Sequence, residues 1–431
     1  MVPRRRFSRR LVALAAALVL FFLYHLFSLQ PEPRHPSSEY AEPAPICPSL
    51  PGINDVLVVM KTGVTEAREK VPIHFSTTLR CIPHYVIYSD FDEEIEGVQV
   101  HDVLRSMNRD VKQLPDFGIY NRLVNGGRKG LEQGDFADEA NSAIGKPNNP
   151  GWKLDKWKFL PMAQEAYRRK PNAKWFVFME ADTYISWPTL LAWLAKFDHR
   201  EPFYLGTETQ IADQVFAHGG SGFMISNPAL KKASEHYATH QAELDQFTNG
   251  HWAGDCVLGK VLQDVGVPLH FSWPALQNSH IGELDEFNHN LYRQPWCYIA
   301  VALHHLAPRE IKDLWEFEQK RWHDKNKRIL LHGDFFREYI YPEIAFEPTR
   351  HSWDNLAGEE QPFATTFEDC RDVCDLQKTC VQFAFRDNTC FTSGNPRLGN
   401  KHSGGAASGW FTNRIREMMN QKGLCKAPEF S

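Results

Sequence analysis

The 431-residue sequence lacks several familiar signatures, and each absence narrows its function. It contains no Asn-x-Ser/Thr acceptor, so N-glycosylation is not expected. The net charge of −5 lacks the basic excess that is typical of nucleic-acid-binding proteins. No Gly-rich nucleotide fingerprint is present, so a nucleotide site has to be argued from other residues. The hydrophobic content of 42% is that of a globular protein, and the length favours two folded units.

The N-terminal segment is predicted to precede the folded part. Five arginines within residues 1–10 come before an apolar run at 11–29, which is long enough to span a bilayer. The arginines should stay on the cytoplasmic side, so 1–10 is predicted as a cytoplasmic tail and 11–29 as a transmembrane signal anchor. A cleaved signal peptide is the alternative. Residues 30–51 are rich in Pro and Ser and are predicted as a luminal stem.

Nine cysteines in a luminal chain indicate disulfides, and the odd number leaves at least one thiol free or paired to another chain. Four of them cluster near the C-terminus: Cys370, Cys374, Cys380 and Cys390. They have three alternative pairings, and no Cys-x₂-Cys spacing favours a zinc site. We predict a main domain at 52–345, a linker at 346–365, and a small α+β disulfide-rich module at 366–425.

The first half of the main domain predicts a parallel sheet. Asn54–Met60 and His84–Ser89 are expected strands, with a helix at Thr65–Phe75 between them. Polar residues follow both strands: Lys61, Thr62 and Asp90. A nucleotide would be held at this edge of a doubly wound fold, although ordinary loop polarity gives the same pattern.

A buried strand is predicted at Trp175–Met179, and Glu180 and Asp182 follow it directly. Ligands of open α/β sheets bind beyond the carboxyl ends of the strands. Two carboxylates there can bind a hard divalent cation, which in turn binds phosphates. The stretch therefore predicts a metal–diphosphate site.

Three later segments add polar groups to this picture. His218–Gly222 is a Gly-rich turn that either closes a hairpin or lets a ligand approach the backbone. Asp255 begins an apolar helix, where it is either a cap or a general base. Trp296–Leu306 is predicted as a strand that ends in His304 and His305, which makes a histidine a plausible third metal ligand.

Two segments before the central strand are less regular. Asp116–Gly151 is rich in Gly and Asn and is predicted as a long loop. Leu154–Arg169 is predicted as a basic amphipathic helix that carries Lys156 and Lys158, with a kink or restart at Pro161. Lysines on helices are usually solvated, so a ligand-binding role for either is the less common case.

In this order, the motifs resemble those of the fringe and core-1 β1,3-galactosyltransferase group of inverting glycosyltransferases. Trp175–Trp187 is especially similar to fungal-type members, and His218–Gly222 resembles the group's Gly-Gly-Ala-Gly turn. Gly254–Gly259 and Ala300–His305 resemble its later acidic and Val-x-Phe-His segments. Residues 367–410 are similar to PAN/apple modules, which bind proteins or carbohydrate.

The resemblance implies a GT-A-like nucleotide-sugar glycosyltransferase fold of class α/β with a mostly parallel central sheet, which binds UDP-sugar with Mn²⁺. It implies Asp255 as the catalytic base. The metal ligands it implies are Asp182, His304 and Glu180. The nucleotide-sugar-binding residues it implies are Lys61, Thr62, Asp90, Lys156, Glu180, Gly219, Gly220 and Ser221, with Lys158 as a rival to Lys156.

The implied function is a single-pass type II membrane hexosyltransferase of the Golgi or ER. It would transfer a sugar, galactose being favoured, to a glycan or glycoprotein hydroxyl with inversion and a β1,3 linkage, as in O-glycan core-1 synthesis. Two positions depart from the group: Ala181 and Gly254 stand where acids are common, and Ala181 leaves the donor sugar open.

Two other functions compete with this one. An inactive, membrane-tethered scaffold that binds carbohydrate or protein is the first alternative. A metal hydrolase that uses Glu180, Asp182 and His304 is the second, and it would leave the glycine turn and Asp255 unused. The sequence does not give the oligomeric state, for which a homodimer is one alternative.

Overall fold

The computed structural model describes residues 47, 49–136, 146, 148–325 and 329–431. The predicted cytoplasmic tail and signal anchor, and most of the predicted stem, lie outside the described residues. No helix within the described part of the chain is long and apolar enough to cross a membrane. Cys47–Ser431 forms one compact unit.

The strands before residue 325 build one large sheet and two small ones. In chain order they are β1 (Val56–Lys61), β2 (Tyr85–Ser89), β3 (Glu93–Ile95), β4 (Val98–Asp102), β5 (Trp175–Glu180), β6 (Tyr184–Ile185), β7 (Tyr204–Gly206), β8 (Glu208–Ile211), β9 (Gln214–Ala217), β10 (Phe223–Ser226), β11 (Leu269–Phe271) and β12 (Ala302–Leu303). The main sheet has eight strands in the order β11-β7-β10-β5-β1-β2-β4-β3. Its central strands β5, β1, β2 and β4 are parallel, and β10 is antiparallel to both of its neighbours.

The helices up to residue 346 are α1 (Ala67–Lys70), α2 (Pro72–Ser76), α3 (Gly118–Gly126), α4 (Pro150–Asp155), α5 (Phe159–Arg169), α6 (Trp187–Leu194), α7 (Asn227–Thr239), α8 (Gln241–Asn249), α9 (Gly254–Asp264), α10 (Pro308–Lys325), α11 (His332–Phe335) and α12 (Tyr341–Phe346). Helices α5, α7 and α9 pack on the sheet face that carries Leu57 and Val59, while α6 packs on the face that carries Val56 and Val58. Both faces are covered, which explains why β1 and β5 read as continuous apolar runs.

The register of the central strands fixes the position of the polar residues. β1 and β5 are parallel, and Lys61 at the end of β1 lies opposite Glu180 at the end of β5. β2 runs parallel to β1 on its other side and ends at Ser89, directly before Asp90. The carboxyl ends of three parallel strands therefore bring these groups to one edge, as the sequence predicts.

Two secondary-structure predictions are wrong and a third places a helix restart a few residues too late, each for an identifiable reason. The predicted loop Asp116–Gly151 contains α3, whose buried face was hidden by the glycines at both of its ends. The predicted strand Trp296–Leu306 is mostly an extended buried segment that begins with a 3₁₀ turn at Pro295–Cys297, and only β12 pairs with another strand. The predicted helix Leu154–Arg169 breaks between α4 and α5, and Pro161 lies in the first turn of α5, where it is tolerated.

The C-terminal part is a five-stranded antiparallel sheet in the order β13-β19-β16-β17-β15, covered by a helix. Its elements are β13 (Thr349–His351), β14 (Trp353–Asp354), β15 (Glu359–Gln361), α13 (Phe367–Leu376), β16 (Gln382–Arg386), β17 (Thr389–Ser393), β18 (Asn400–Lys401), β19 (Ala407–Trp410) and α14 (Thr412–Lys422). The prediction of a linker at 346–365 is wrong, because β13 and β15 are the edge strands of this sheet. Charged edge strands show little apolar period, which is why they read as a linker.

Four disulfides resolve the pairings that the sequence left open: Cys47–Cys81, Cys297–Cys425, Cys370–Cys390 and Cys374–Cys380. Cys256 is free and buried. One apolar cluster joins the two parts of the molecule, because Leu398, Trp410 and Met419 pack with Ile281 and Phe336. The C-terminal sheet is therefore fixed to the main domain by a shared core and by the Cys297–Cys425 bridge.

Candidate active site

A network of buried charges lies at the carboxyl ends of β1, β2 and β5. The Lys61 ammonium contacts Asp155 and lies 3.0 Å from Glu180 Oε1. The Lys158 ammonium donates to the Thr62 carbonyl at 2.9 Å and lies 3.3 Å from Asp155 Oδ1. Burial opposes ionisation of Asp155, but Lys61 and Lys158 outweigh it and hold the pKa of Asp155 below its usual range. Both ammonium groups are thus fixed beside Asp155 at the predicted nucleotide edge.

Asp90 is buried beside this network. Its Oδ1 accepts hydrogen bonds from the Val64 amide at 2.7 Å and from the Ser89 hydroxyl at 2.9 Å. Its Oδ2 lies 3.6 Å from Lys158 Nζ and has no hydrogen-bond partner in the described part of the chain. A buried acceptor atom without a partner is uncommon and is available to a ligand hydroxyl.

The structure separates Lys156 from its rival Lys158. Lys156 Nζ lies 2.8 Å from Asp116 Oδ2 and donates to the His251 carbonyl at 2.9 Å, so it secures the loop that precedes α9. Lys158 instead joins Asp90 at the nucleotide edge. The break between α4 and α5 sends the two lysines in different directions, and a continuous helix would have hidden that difference.

Asp182, His304 and His305 form the one group within the described residues whose side chains could hold a metal ion together, with ligand atoms within 4.8 Å of one another. His304 Nε2 lies 3.2 Å from Asp182 Oδ1. Apart from this contact, whose geometry is not that of a hydrogen bond, Asp182 Oδ1 has no partner among the described residues, and the buried His304 Nδ1 has none there either. Lys70 Nζ, at 3.0 Å, neutralises the other oxygen of Asp182. The set fits a divalent cation, because one carboxylate oxygen and two imidazole nitrogens lie within 4.8 Å of one another.

His305 was not singled out as a ligand by the sequence. It has a φ of +60°, in the left-handed region, and its ring is tilted against that of His304 with 3.8 Å between the ring centroids. A non-glycine residue in that region is uncommon and often marks a functional site. The ring is exposed on one side, but partial desolvation and the neighbouring His304 lower the pKa of His305 to about 4, which favours the neutral imidazole that binds metals. The His-His pair was the available signal. Glu180, predicted as a ligand, instead faces Lys61, and burial raises the pKa of Glu180.

The glycine turn, His218–Gly222, contacts both the candidate metal ligands and the predicted base. The three candidate ligands, Asp182, His304 and His305, are called the metal group below. A Cβ on Gly220 would lie 2.1 Å from His304 Nε2, so only glycine leaves room for that ring. The Gly219 amide donates to Asp255 Oδ2 at 2.9 Å, and the Gly220 carbonyl accepts from the Thr183 hydroxyl at 2.8 Å. Ser221 is buried and its hydroxyl lies 3.1 Å from His218 Nδ1, so it orients that ring.

Asp255 lies in the first turn of α9 and is half-buried. Oδ1 accepts from the Cys256 amide at 2.9 Å, and the Gly219 amide holds Oδ2. Burial raises the pKa of Asp255 to about 6, although both amides favour the charged form. A carboxylate with such a pKa, held in one orientation by the Gly219 and Cys256 amides, suits the role of general base that the sequence predicts for it.

The two departures from the resemblance have structural explanations. Ala181 is buried in the apolar cluster beneath α6, so the side chain at this position does not face the site. A Cβ on Gly254 would lie 2.6 Å from Lys156 Cα, so α9 approaches the α4–α5 junction too closely for a side chain. Neither substitution removes a group that points at the polar edge.

Residues 153–321 match the protein-family model described as Fringe-like. The matched range contains Asp182, the glycine turn, Asp255 and both histidines, while Lys61 and Asp90 lie before it. The α/β architecture with a mostly parallel central sheet fits the GT-A-like fold expected from the sequence. The match and the fold together support a fringe-like glycosyltransferase.

Proposed function

We propose that this chain transfers a hexose, galactose being favoured, from UDP-sugar to a glycan or glycoprotein hydroxyl with inversion and a β1,3 linkage. One observation carries the proposal. Two consecutive residues of one turn act on the base and on the metal group: the Gly219 amide holds the Asp255 carboxylate, and Gly220 makes room for His304. A base and a diphosphate-binding metal side by side are what a single displacement at the anomeric carbon requires.

The metal in this proposal is Mn²⁺, held by Asp182, His304 and His305. The unpartnered Asp182 Oδ1 and His304 Nδ1 support such a site. A bound Mn²⁺ would neutralise the charge that develops on the leaving UDP phosphates. Lys61 and Lys158 add two fixed positive charges on the nucleotide side, and Asp90 Oδ2 offers an acceptor to a ribose or base donor.

In the proposed reaction the acceptor hydroxyl oxygen bonds to the anomeric carbon as the bond to the UDP oxygen breaks. The hydroxyl proton moves to Asp255, and UDP leaves with the bonding electron pair. The Gly219 and Cys256 amides keep Asp255 in one orientation through both protonation states. A positioned general base of this kind contributes about 10²- to 10⁴-fold in rate.

The cellular setting is also part of the proposal. Residues 11–29 act as a signal anchor that leaves the catalytic domain in the lumen of the Golgi or ER. The disulfides support an oxidising compartment. The motifs favour a fungal-type member, and the cysteine spacing and helix-on-sheet shape of 366–425 favour a PAN/apple-like module. A homodimer is the proposed assembly.

The test is UDP release by the full-length protein over a panel of UDP-sugars and neutral acceptors, with Mn²⁺, with Mg²⁺ and with EDTA. We expect acceptor-dependent UDP release that requires Mn²⁺ and is fastest with UDP-galactose. An Asp182→Ala variant should lose metal-dependent UDP binding. No release with any pair, despite intact folding, would favour the inactive scaffold. Activity that is unchanged in EDTA would refute the metal site.

A further inference from the structure

A polar cleft of about 550 Å³ opens next to the metal group. Of the residues assigned to the candidate active site, His305 alone lines it, so the proposed function gives the cleft no role. Its lining consists of Asn278, Ser279, His280, Glu283, His305 and Asn400. The volume falls within the range of about 300–1,000 Å³ that is typical of small-molecule sites. Asn400 belongs to β18 of the C-terminal part, whereas the other lining residues belong to the main domain. The cleft therefore lies where the two parts meet.

The wall of the cleft that carries Asn400 is held against the main domain by a contact that leaves no room for side chains. The Gly399 amide donates to the Gly282 carbonyl at 2.8 Å. A Cβ on Gly282 would lie 2.1 Å from the Gly399 carbonyl oxygen, and one on Gly399 would lie 2.1 Å from the Asp354 carbonyl oxygen. Arg397 Nη2 lies 3.2 Å from Asp285 Oδ2 beside this contact. Two close-packed glycines and an ion pair thus hold the wall in one position.

The same wall rests on a shared apolar core. Leu398, immediately before the Gly399 contact, packs with Ile281 and Leu284 of the main domain in one cluster. His280 is fixed as well, because its Nε2 lies 2.8 Å from Glu310 Oε1 and its Nδ1 accepts from the Gly282 amide at 3.1 Å. A cleft with both walls fixed is preformed, which lowers the entropy loss when a ligand binds.

The chemistry of the lining selects the class of ligand. The amides of Asn278 and Asn400 and the hydroxyl of Ser279 can both donate and accept, which suits the hydroxyl groups of a sugar. None of the described residues that line the cleft is a lysine or arginine, and Glu283 contributes a negative charge. Burial opposes protonation of His280, but Glu310 outweighs it and raises the pKa of His280, and the Glu310 carboxylate at 2.8 Å balances the charge of that ring. An anionic ligand would therefore be disfavoured, and a neutral polyhydroxylated ligand fits the lining.

The cleft also lies within reach of the reaction. His305 is a member of both the cleft lining and the metal group. Its neighbour His304 touches the turn whose Gly219 amide holds Asp255. A saccharide in the cleft would extend from the C-terminal wall toward the proposed base. We infer that this cleft is the acceptor subsite for an uncharged glycan, with one wall supplied by the C-terminal sheet; the inference rests on the proposed transferase function.

The first experiment measures acceptor KM and donor KM for the full-length protein with p-nitrophenyl glycosides of galactose, N-acetylgalactosamine, N-acetylglucosamine and fucose. Asn400→Ala and Asn278→Ala should each raise acceptor KM about threefold to tenfold, the effect of one lost hydrogen bond, with a much smaller effect on donor KM. Asn420→Ala is the matched control, because Asn420 is exposed on α14 and does not line the cleft. Equal acceptor KM values in all four proteins would overturn the inference.

The second experiment tests the charge preference. The best neutral glycoside should be used at least tenfold more efficiently, in kcat/KM, than its 6-O-sulfated counterpart. Glu283→Gln removes the charge of the cleft and should reduce that ratio about threefold or more. A sulfated glycoside that is used as well as the neutral one would contradict the assignment, and a rise in donor KM without a change in acceptor KM would assign the cleft to the donor sugar instead.

Failure of the proposed function can be distinguished from failure of the cleft assignment. Binding of the same glycosides is measured by ligand-observed NMR in the presence of UDP and Mn²⁺, which needs no turnover. Binding that is lost in Asn400→Ala, in a protein with no transferase activity, would support the cleft and refute the transferase. Transferase activity with an unchanged acceptor KM in Asn400→Ala would support the transferase and refute the cleft assignment. No binding of any glycoside by the wild-type protein would refute the cleft.

Discussion

Asp255 keeps its carboxyl group in surroundings that favour the protonated form. Burial raises its pKa in the folded protein to about 6, above the ordinary aspartate value of 3.8. Its contribution to stability is therefore fully present below about pH 4 and is lost as the pH rises through about 6. At pH 7.5 the ionised form is destabilised in the fold, and functional residues often carry this kind of penalty.

We therefore predict opposite effects of Asp255→Asn on activity and on stability. Transfer should fall by at least 10²-fold, while UDP and Mn²⁺ should still bind. The melting temperature of the variant relative to wild type should rise between pH 5 and pH 7.5, because only the wild type ionises. Differential scanning fluorimetry at the two pH values checks this. If the Asp255→Asn variant instead loses stability relative to wild type between pH 5 and pH 7.5, ionisation of Asp255 does not destabilise the folded protein.

The same carboxyl group predicts the acid limb of the pH–rate profile. A general base must be deprotonated to accept the acceptor proton, so kcat/KM should decrease as the pH falls below about 6. Steady-state rates between pH 5 and pH 8 at saturating Mn²⁺ measure this limb. A flat profile over that range would mean that another group accepts the proton.

A substitution at Gly220 is expected to weaken metal and UDP binding, not proton transfer. In Gly220→Ala the new methyl group would collide with the imidazole of His304, at 2.0 to 2.1 Å from Cε1 and Nε2. The ring has to move, so Mn²⁺-dependent UDP binding should weaken by tenfold or more. Gly358→Ala is the control, because a Cβ there meets nothing within 4 Å. Calorimetric titration of UDP with Mn²⁺ measures both, and equal affinities would remove His304 from the site.

At the scale of single elements, the sequence predicted well where one physical signal dominated. β1, β2 and β5 are apolar runs ended by charged residues, so both the strands and the positions of Lys61 and Glu180 could be read directly. Lys158 could not be separated from Lys156, because only the break between α4 and α5 sends the two side chains apart. His305 depends on a left-handed backbone that no local pattern indicates.

Helix α9 shows how packing rather than chemistry can select a residue. In Gly254→Ala the methyl group would lie 2.4 Å from Phe159 Cδ2 and 2.6 Å from Lys156 Cα. Overpacking of this kind typically costs about 1–3 kcal/mol, so the free energy of unfolding should fall by that amount. Gly126→Ala in α3, where the space is open, should be neutral or stabilising. Urea denaturation of both variants makes the comparison.

For the whole molecule, the shared apolar cluster makes the C-terminal sheet part of the fold and not a tethered accessory. The expected linker would have allowed the two parts to move independently, whereas Trp410 and Met419 bury against Trp296 and Phe336. Unfolding of Cys47–Ser431 should accordingly show one cooperative transition. This union also explains how a residue as late as Asn400 can reach the cleft beside His305.

Removing single disulfides tests whether the main domain and the C-terminal sheet unfold together. The Cys297–Cys425 bridge closes a loop of 128 residues between the two parts, whereas Cys374–Cys380 closes a loop of 6 within one of them. Loop-closure entropy grows with loop length, so replacing both cysteines of the long bridge with serine should lower the free energy of unfolding by about 4–5 kcal/mol, and the short bridge should contribute less. Denaturant titrations of the two double variants, followed by tryptophan fluorescence, compare them. If the long bridge is dispensable and a second transition appears, the two parts fold independently and the cleft wall is not rigid.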